Sequence, residues 1–181
     1  MRHIEGVGTL AERASEGLVA GVAATAAMSL FTAALLAAVQ RAGVPEREVE
    51  RLGRCSKSGD APTEALAASV ERAALGRRPT RREKELGGKA VHWTFGALLG
   101  ALYAAMSAKG PTTLSGGRGL LFGGLLWLGV SEAALPTLGL SLGPTACSPA
   151  GHALNLVTHL IYGGALDLVN RALHGAVVSR A

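Results

Sequence analysis

The chain has 181 residues, 49% of them hydrophobic and only 4% aromatic, with 25 glycines, a net charge of +5 and a mean hydropathy of +0.31. A soluble domain of this length would spread its apolar residues around one core, but here they gather in four blocks separated by a polar middle. The glycines lie inside those blocks, where they weaken a soluble helix but let membrane helices approach closely. The blocks are also apolar around most of their circumference, which argues against a soluble alanine-rich four-helix protein.

The first block, GLVAGVAATAAMSLFTAALLAAV (17–39), runs 23 residues without a charge, enough to cross a ~30 Å hydrocarbon layer. Its apolar run is longer than that of a signal peptide, and the preceding MRHIEGVGTLAERASE mixes acids with bases, so a retained span is expected. A polar segment, 41–89, follows. There Pro45 can open a short helix that stops at Gly53, and RCSKSGDAP reads as a turn. Thr63 is expected to cap a helix that Gly76 ends, and Thr80 with Glu83 has capping-box spacing.

The second block, VHWTFGALLGALYAAMSA (91–108), is bracketed by Lys89 and Lys109. The third, GLLFGGLLWLGVSEAALPTLGL (119–140), carries one carboxylate, Glu132, and Pro136 should end or kink it. The fourth, GHALNLVTHLIYGGALDLVNR (151–171), places Gly151, Asn155, His159, Gly163, Asp167 and Arg171 four residues apart on one stripe. The expected fold is an all-α, four-helix transmembrane bundle forming a single membrane domain. Its spans lie at about 17–40, 90–108, 118–139 and 150–173, with a helical, basic loop at 41–89.

Twelve of the 18 Lys and Arg residues lie within 41–90, against six on the other side, so the positive-inside rule places this loop in the cytoplasm and both termini outside. Eight acids share the segment and can pair with those bases. Arg77, Arg78, Arg81, Arg82, Lys84 and Lys89 are the candidates for contact with anionic lipid headgroups, against the simpler reading of flanking charge. Nucleic acid is not expected as a partner, because the bases alternate with acids and no aromatics accompany them. Cys55 and Cys147 fall on one side of the membrane. They should be free thiols if that side is cytoplasmic and can pair only under the inverted topology.

Gly17, Gly21, Thr25 and Ser29 form a small-residue stripe in the first span, with Gly96 and Gly100 in the second and Gly119 and Gly123 in the third. Such faces hold membrane helices together by close van der Waals approach, within the chain or in a homo-oligomer. A buried carboxylate must face the bundle interior, paired, hydrated or protonated. Counting outward from a hairpin centre at residues 145–146 sets Glu132 level with His159, about 13 residues to either side, and a similar count brings His92 near. An intramembrane polar cluster of His92, Glu132, Asn155 and His159 is therefore expected. It would act as a proton-accepting site, as a facial triad for a metal, as an axial ligand for haem or chlorophyll, or as a hydrogen-bonded pair fixing helix register. His152 and His159 are too far apart along the helix, about 10.5 Å, to share one metal. Asp167 and Arg171 read as an interfacial ion pair. No catalytic motif or zinc spacing is present, so no enzyme, resident cofactor or metal is expected.

The segments KAVHWTFGALLGALYAAM, GRGLLFGGLLWLGVSEAALPTLGLS and GHALNLVTHLIYGGALDLVNRAL resemble those of the YagU-like bacterial inner-membrane proteins. The likeness covers about two-thirds of the chain and rests on a His-aromatic-Gly entry to one span, an acid before P-x-L-G-L in the next, and a His-containing last span. It implies a small polytopic protein of a bacterial inner membrane, but no reaction or substrate. The leading functional expectation is a non-enzymatic structural or accessory component, oligomeric or bound to a larger membrane complex. The alternatives are a small transporter or proton-handling protein, and a haem- or chlorophyll-associated subunit.

Overall fold

The computed structural model describes residues 2–45, 47–48, 60–107, 117–141 and 147–178, with side chains from residue 10 to residue 174 of these stretches. Among the described residues the chain is helical, without strands. Five helices follow one another: α1 (Arg2–Arg41), α2 (Pro62–Leu75), α3 (Arg81–Ser107), α4 (Gly117–Thr137) and α5 (Pro149–Val178). Three segments are long and apolar enough to cross a membrane: Leu10–Arg41, Arg81–Ser107 and Gly117–Thr137. The α5 helix has the length but not the uniform apolarity, because His152, Asn155, His159, Asp167 and Asn170 punctuate it.

Helix ends follow local chemistry. Gly43, at φ 74°, closes α1 with its own N–H on Gln40 O and the Val44 N–H on Val39 O, the paired bonds of a Schellman cap. Gly139, at φ 71°, closes α4 in the same way, with the Gly139 N–H on Pro136 O and the Leu140 N–H on Leu135 O. The α2 helix starts two residues earlier than a Thr63 cap would place it. Pro62 occupies its first position, where no N–H is needed, and the Glu64 carboxylate reaches back to the Ala61 N–H at 3.1 Å. Thr80 and Glu83 form the expected capping box: the Glu83 N–H donates to Thr80 Oγ1 at 3.3 Å and the Thr80 N–H donates to Glu83 Oε2 at 2.7 Å. The short helix read at 45–53 lies for the most part outside the described residues, as does Cys55.

The chain divides into two compact units. The first comprises residues 1–30, 94–124 and 159–181. Its seams are made of small residues. A Cβ added at Gly17 would lie 2.5 Å from Gly100 O, and one at Gly100 would lie 2.6 Å from Gly21 Cα, so α1 and α3 touch backbone to backbone. Gly119 and Gly163 are mutually in such contact between α4 and α5, and Gly123 packs against the His159 carbonyl. Thr25 fills the space over Gly96 while donating to Gly21 O at 2.8 Å. Of the predicted packing stripe, Gly17, Gly21, Thr25, Gly96, Gly100, Gly119 and Gly123 all face another helix of the same chain. Ser29 is half-buried. Backbone-level approach of this kind brings many atoms into dispersion contact across each seam.

The second unit comprises residues 31–93 and 125–158. Here α2 lies along the charged start of α3, its Ala67 over Gly87 and its Glu64 over Gly88. Lys84 ties them further through Asp60 at 2.8 Å.

Candidate functional site

Glu132 sits on the one stretch of α4 that is not α-helical. Residues Trp127–Ala134 form a π-helix, in which the Leu135 N–H bonds five residues back, to Val130 O. Pro136 supplies the cause: it has no N–H to give and its ring clashes with the carbonyl four residues earlier, which is Glu132's own. Widening the preceding turns relieves that clash, and π-helical turns recur at functional sites.

The partner that meets Glu132 is His152, whose Nδ1 lies 2.8 Å from Glu132 Oε1. His152 is fixed by the start of α5, where Ser148 Oγ accepts the Gly151 N–H at 3.0 Å as an N-cap and Pro149 occupies the first helical position. The side chains of His152 and Glu132 are 22% and 14% exposed, so the pair is largely withdrawn from solvent. It lines a cavity of about 30 Å³ together with Pro62, Ser131, Leu135, Ser141, Cys147 and Asn155. The Ser141 hydroxyl is buried in this wall and has no hydrogen-bond partner among the described residues. A space of this size takes one or two waters or a bare cation, and no organic solute or macrocycle.

Two of the four expected cluster residues, Glu132 and Asn155, line this cavity, while His92 and His159 do not. His159 belongs to the first unit, where its backbone receives Gly123. The correction comes from the hairpin centre. The Glu132–His152 pairing centres on residue 142 and the Gly119–Gly163 contact on 141, about four residues before the centre assumed from the sequence. That shift exchanges His159 for a histidine two turns nearer the start of α5. Among the described residues no group of three or more His, Cys, Asp or Glu side chains is arranged to hold a metal.

The first unit holds a second polar centre. Asp167 is 5% exposed and accepts the Tyr103 hydroxyl at 2.7 Å, while Arg171 Nη2 lies 3.0 Å from its other oxygen. Spacing alone makes this pair an interfacial anchor. Arg171 is indeed half-exposed, but the carboxylate is interior, on the face of α5 that also buries Tyr162, Gly163, Leu166 and Asn170. Tyr103 carries no signal of its own beyond being a tyrosine in an apolar block. Near the opposite end of α5, Arg13 meets His174 Nε2 at 2.9 Å, and His174 Nδ1 lies 3.7 Å from Glu16.

Cys147 is disulfide-bonded, and the only other cysteine of the chain is Cys55. Disulfides persist mainly in oxidising compartments.

No family model matches the chain, and neither a curated protein nor a solved structure does so. The resemblance to the YagU-like proteins accordingly rests on the quoted glycine and polar patterns alone.

Proposed function

We propose that the chain is a multi-pass membrane protein of four spans, carried by α1, α3, α4 and α5, which takes up and releases a proton or a small cation at Glu132–His152. Three helices long and apolar enough to span support the membrane assignment. For α5 the support is its burial pattern, since Gly151, Thr158, Tyr162, Gly163, Leu166, Asp167 and Asn170 are all buried, so its polar residues are turned away from lipid. On the patterns it shares with the YagU-like proteins, we assign it to a bacterial inner membrane.

One observation carries the functional reading: an imidazole within hydrogen-bond distance of a largely buried carboxylate, on a water-sized cavity whose wall also holds a hydroxyl with no partner among the described residues. A carboxylate withdrawn into a membrane protein costs several kcal/mol unless paired or protonated, and imidazole titrates in the range where cells operate. One proton can therefore pass between Glu132 Oε1 and His152 Nδ1. A water in the cavity would connect the pair to Ser141 and Asn155. The same site accepts a bare cation when the pair is deprotonated.

The test is proton uptake in sealed proteoliposomes with an entrapped pH indicator. Uptake should fall at least tenfold in both Glu132→Gln and His152→Gln while helicity and melting stay near wild type. Full uptake in either variant contradicts the site. The second reading, a structural or accessory subunit, is favoured by the small cavity, which leaves no room for an organic solute. In that case the two variants lower stability or assembly, and wild type shows no uptake.

For orientation, the disulfide at Cys147 and the count of bases point to opposite sides. We take the covalent bond as the stronger indication and propose that the 41–89 loop faces the oxidising side, with both termini in the cytoplasm.

A further inference from the structure

The expected lipid-contact set contains six bases, and three of them are already engaged. Arg77 forms an ion pair with Glu83, Arg81 pairs with Glu85 at 2.9 Å, and Lys84 pairs with Asp60 at 2.8 Å. Arg78, Arg82 and Lys89 are exposed and have no acidic partner among the described residues. Arg82, Leu86, Lys89 and Trp93 follow at spacings of four, three and four, so they occupy one face of α3. Leu86 is 56% exposed and Trp93 is 39% exposed on that face, although both are large and apolar. A soluble surface has no reason to expose them beside two unpaired cations, whereas a membrane boundary does, since Trp settles at headgroup level and Lys and Arg lay apolar stems along lipid.

Helix continuity sets the depths. The α3 helix runs unbroken from Arg81 into the apolar segment that begins at residue 90. At 1.5 Å per residue, Lys89 lies about 6 Å and Arg82 about 16 Å above Trp93 along the axis. With Trp93 at the boundary, Lys89 falls among the headgroups and Arg82 at their outer edge, within a Debye length of the surface.

We propose that Arg82 and Lys89, with Leu86 and Trp93 on the same face of α3 and Arg78 just before the helix, form a contact site for anionic phospholipid headgroups. The proposal rests on the membrane reading above, with α3 as a span. Charge complementarity selects the occupant: the cations without an acidic partner among the described residues lie on the side from which Trp93 enters the bilayer. Each base near the surface strengthens the attraction by up to about fivefold.

The test uses the full chain carrying Trp127→Phe, so that Trp93 is the only tryptophan. It is reconstituted into vesicles of phosphatidylcholine and phosphatidylglycerol in which one or the other carries brominated chains. Quenching of Trp93 should be several-fold stronger by brominated phosphatidylglycerol than by equal bulk amounts of the brominated neutral lipid. That preference should fall close to one in the triple variant R78Q/R82Q/K89Q and persist in the charge-neutral pair variant R81Q/E85Q. Equal quenching in the parent, a preference surviving in the triple variant, or the same loss in the pair variant overturns the site. Absence of quenching by either lipid refutes the membrane position of α3 itself, a different failure.

Discussion

The seam between α1 and α3 makes a quantitative prediction at Gly17. A methyl added there would stand 2.5 Å from Gly100 O, 2.7 Å from Ala101 Cα and 2.7 Å from Ala104 Cβ. None of these atoms can rotate away, because two are backbone and the third is fixed to it. Restoring ordinary contact near 3.4 Å requires the helices to part by about 0.7–0.9 Å. A gap of that order forfeits a quarter to a half of the dispersion attraction along the seam. Overpacking of this kind costs about 1–3 kcal/mol, and replacing Gly by Ala in a helix returns up to about 1 kcal/mol. With the full offset, the net expectation for Gly17→Ala is a loss of up to about 2 kcal/mol. Gly124→Ala is the control, since its added methyl meets only Leu160 Cδ2 at 3.9 Å and should be neutral or slightly stabilising. Reversible unfolding in mixed micelles, followed by helicity against denaturing-detergent fraction, measures both. Wild-type stability in Gly17→Ala, or an equal loss in Gly124→Ala, would refute backbone-level packing at this seam.

Two further outcomes are expected. The Glu83 carboxyl is held at about 2, first by the Arg77 guanidinium and then by the Thr80 N–H and hydroxyl, at the charged head of α3 outside the apolar segment. A carboxyl depressed on folding stabilises above its unfolded value and loses that stabilisation as pH falls toward the folded one. Amide exchange over Arg81–Lys84 should thus be faster in Glu83→Gln than in wild type at neutral pH, with the difference shrinking between about pH 4.5 and 2. For Cys147, a membrane-impermeant maleimide added to the oxidising face of intact cells should label it only after reduction; ready labelling without reductant rejects the disulfide, and none after reduction rejects the proposed orientation.

The helical class was readable because long uncharged blocks leave few alternatives, and Pro, Gly and T-x-x-E signals act within one helical turn. The glycine seams were legible for the same reason, as spacing alone defines the face. Partners across helices were not. Assigning Glu132 to His159 needed the centre of the α4–α5 turn to within one residue, and neither the Gly139 cap nor the π-helix before Pro136 can be located from hydropathy. Likewise, i, i+4 spacing showed that Asp167 can meet Arg171, but it cannot show that Tyr103, on another helix, reaches into the interior for the same carboxylate. The basic loop shows the converse limit, since a count of charges does not tell which are already spoken for by Glu83, Glu85 and Asp60.

The central claim is that Glu132 and His152 form a working protonation site, and the most direct measurement compares Glu132→Gln with Asp167→Asn in the same sealed proteoliposomes. Both variants neutralise one carboxylate withdrawn from solvent, but only the first lies on the water-sized cavity. The account predicts that proton uptake collapses in Glu132→Gln and persists in folded Asp167→Asn. Uptake unchanged in Glu132→Gln, or lost equally in both, contradicts it.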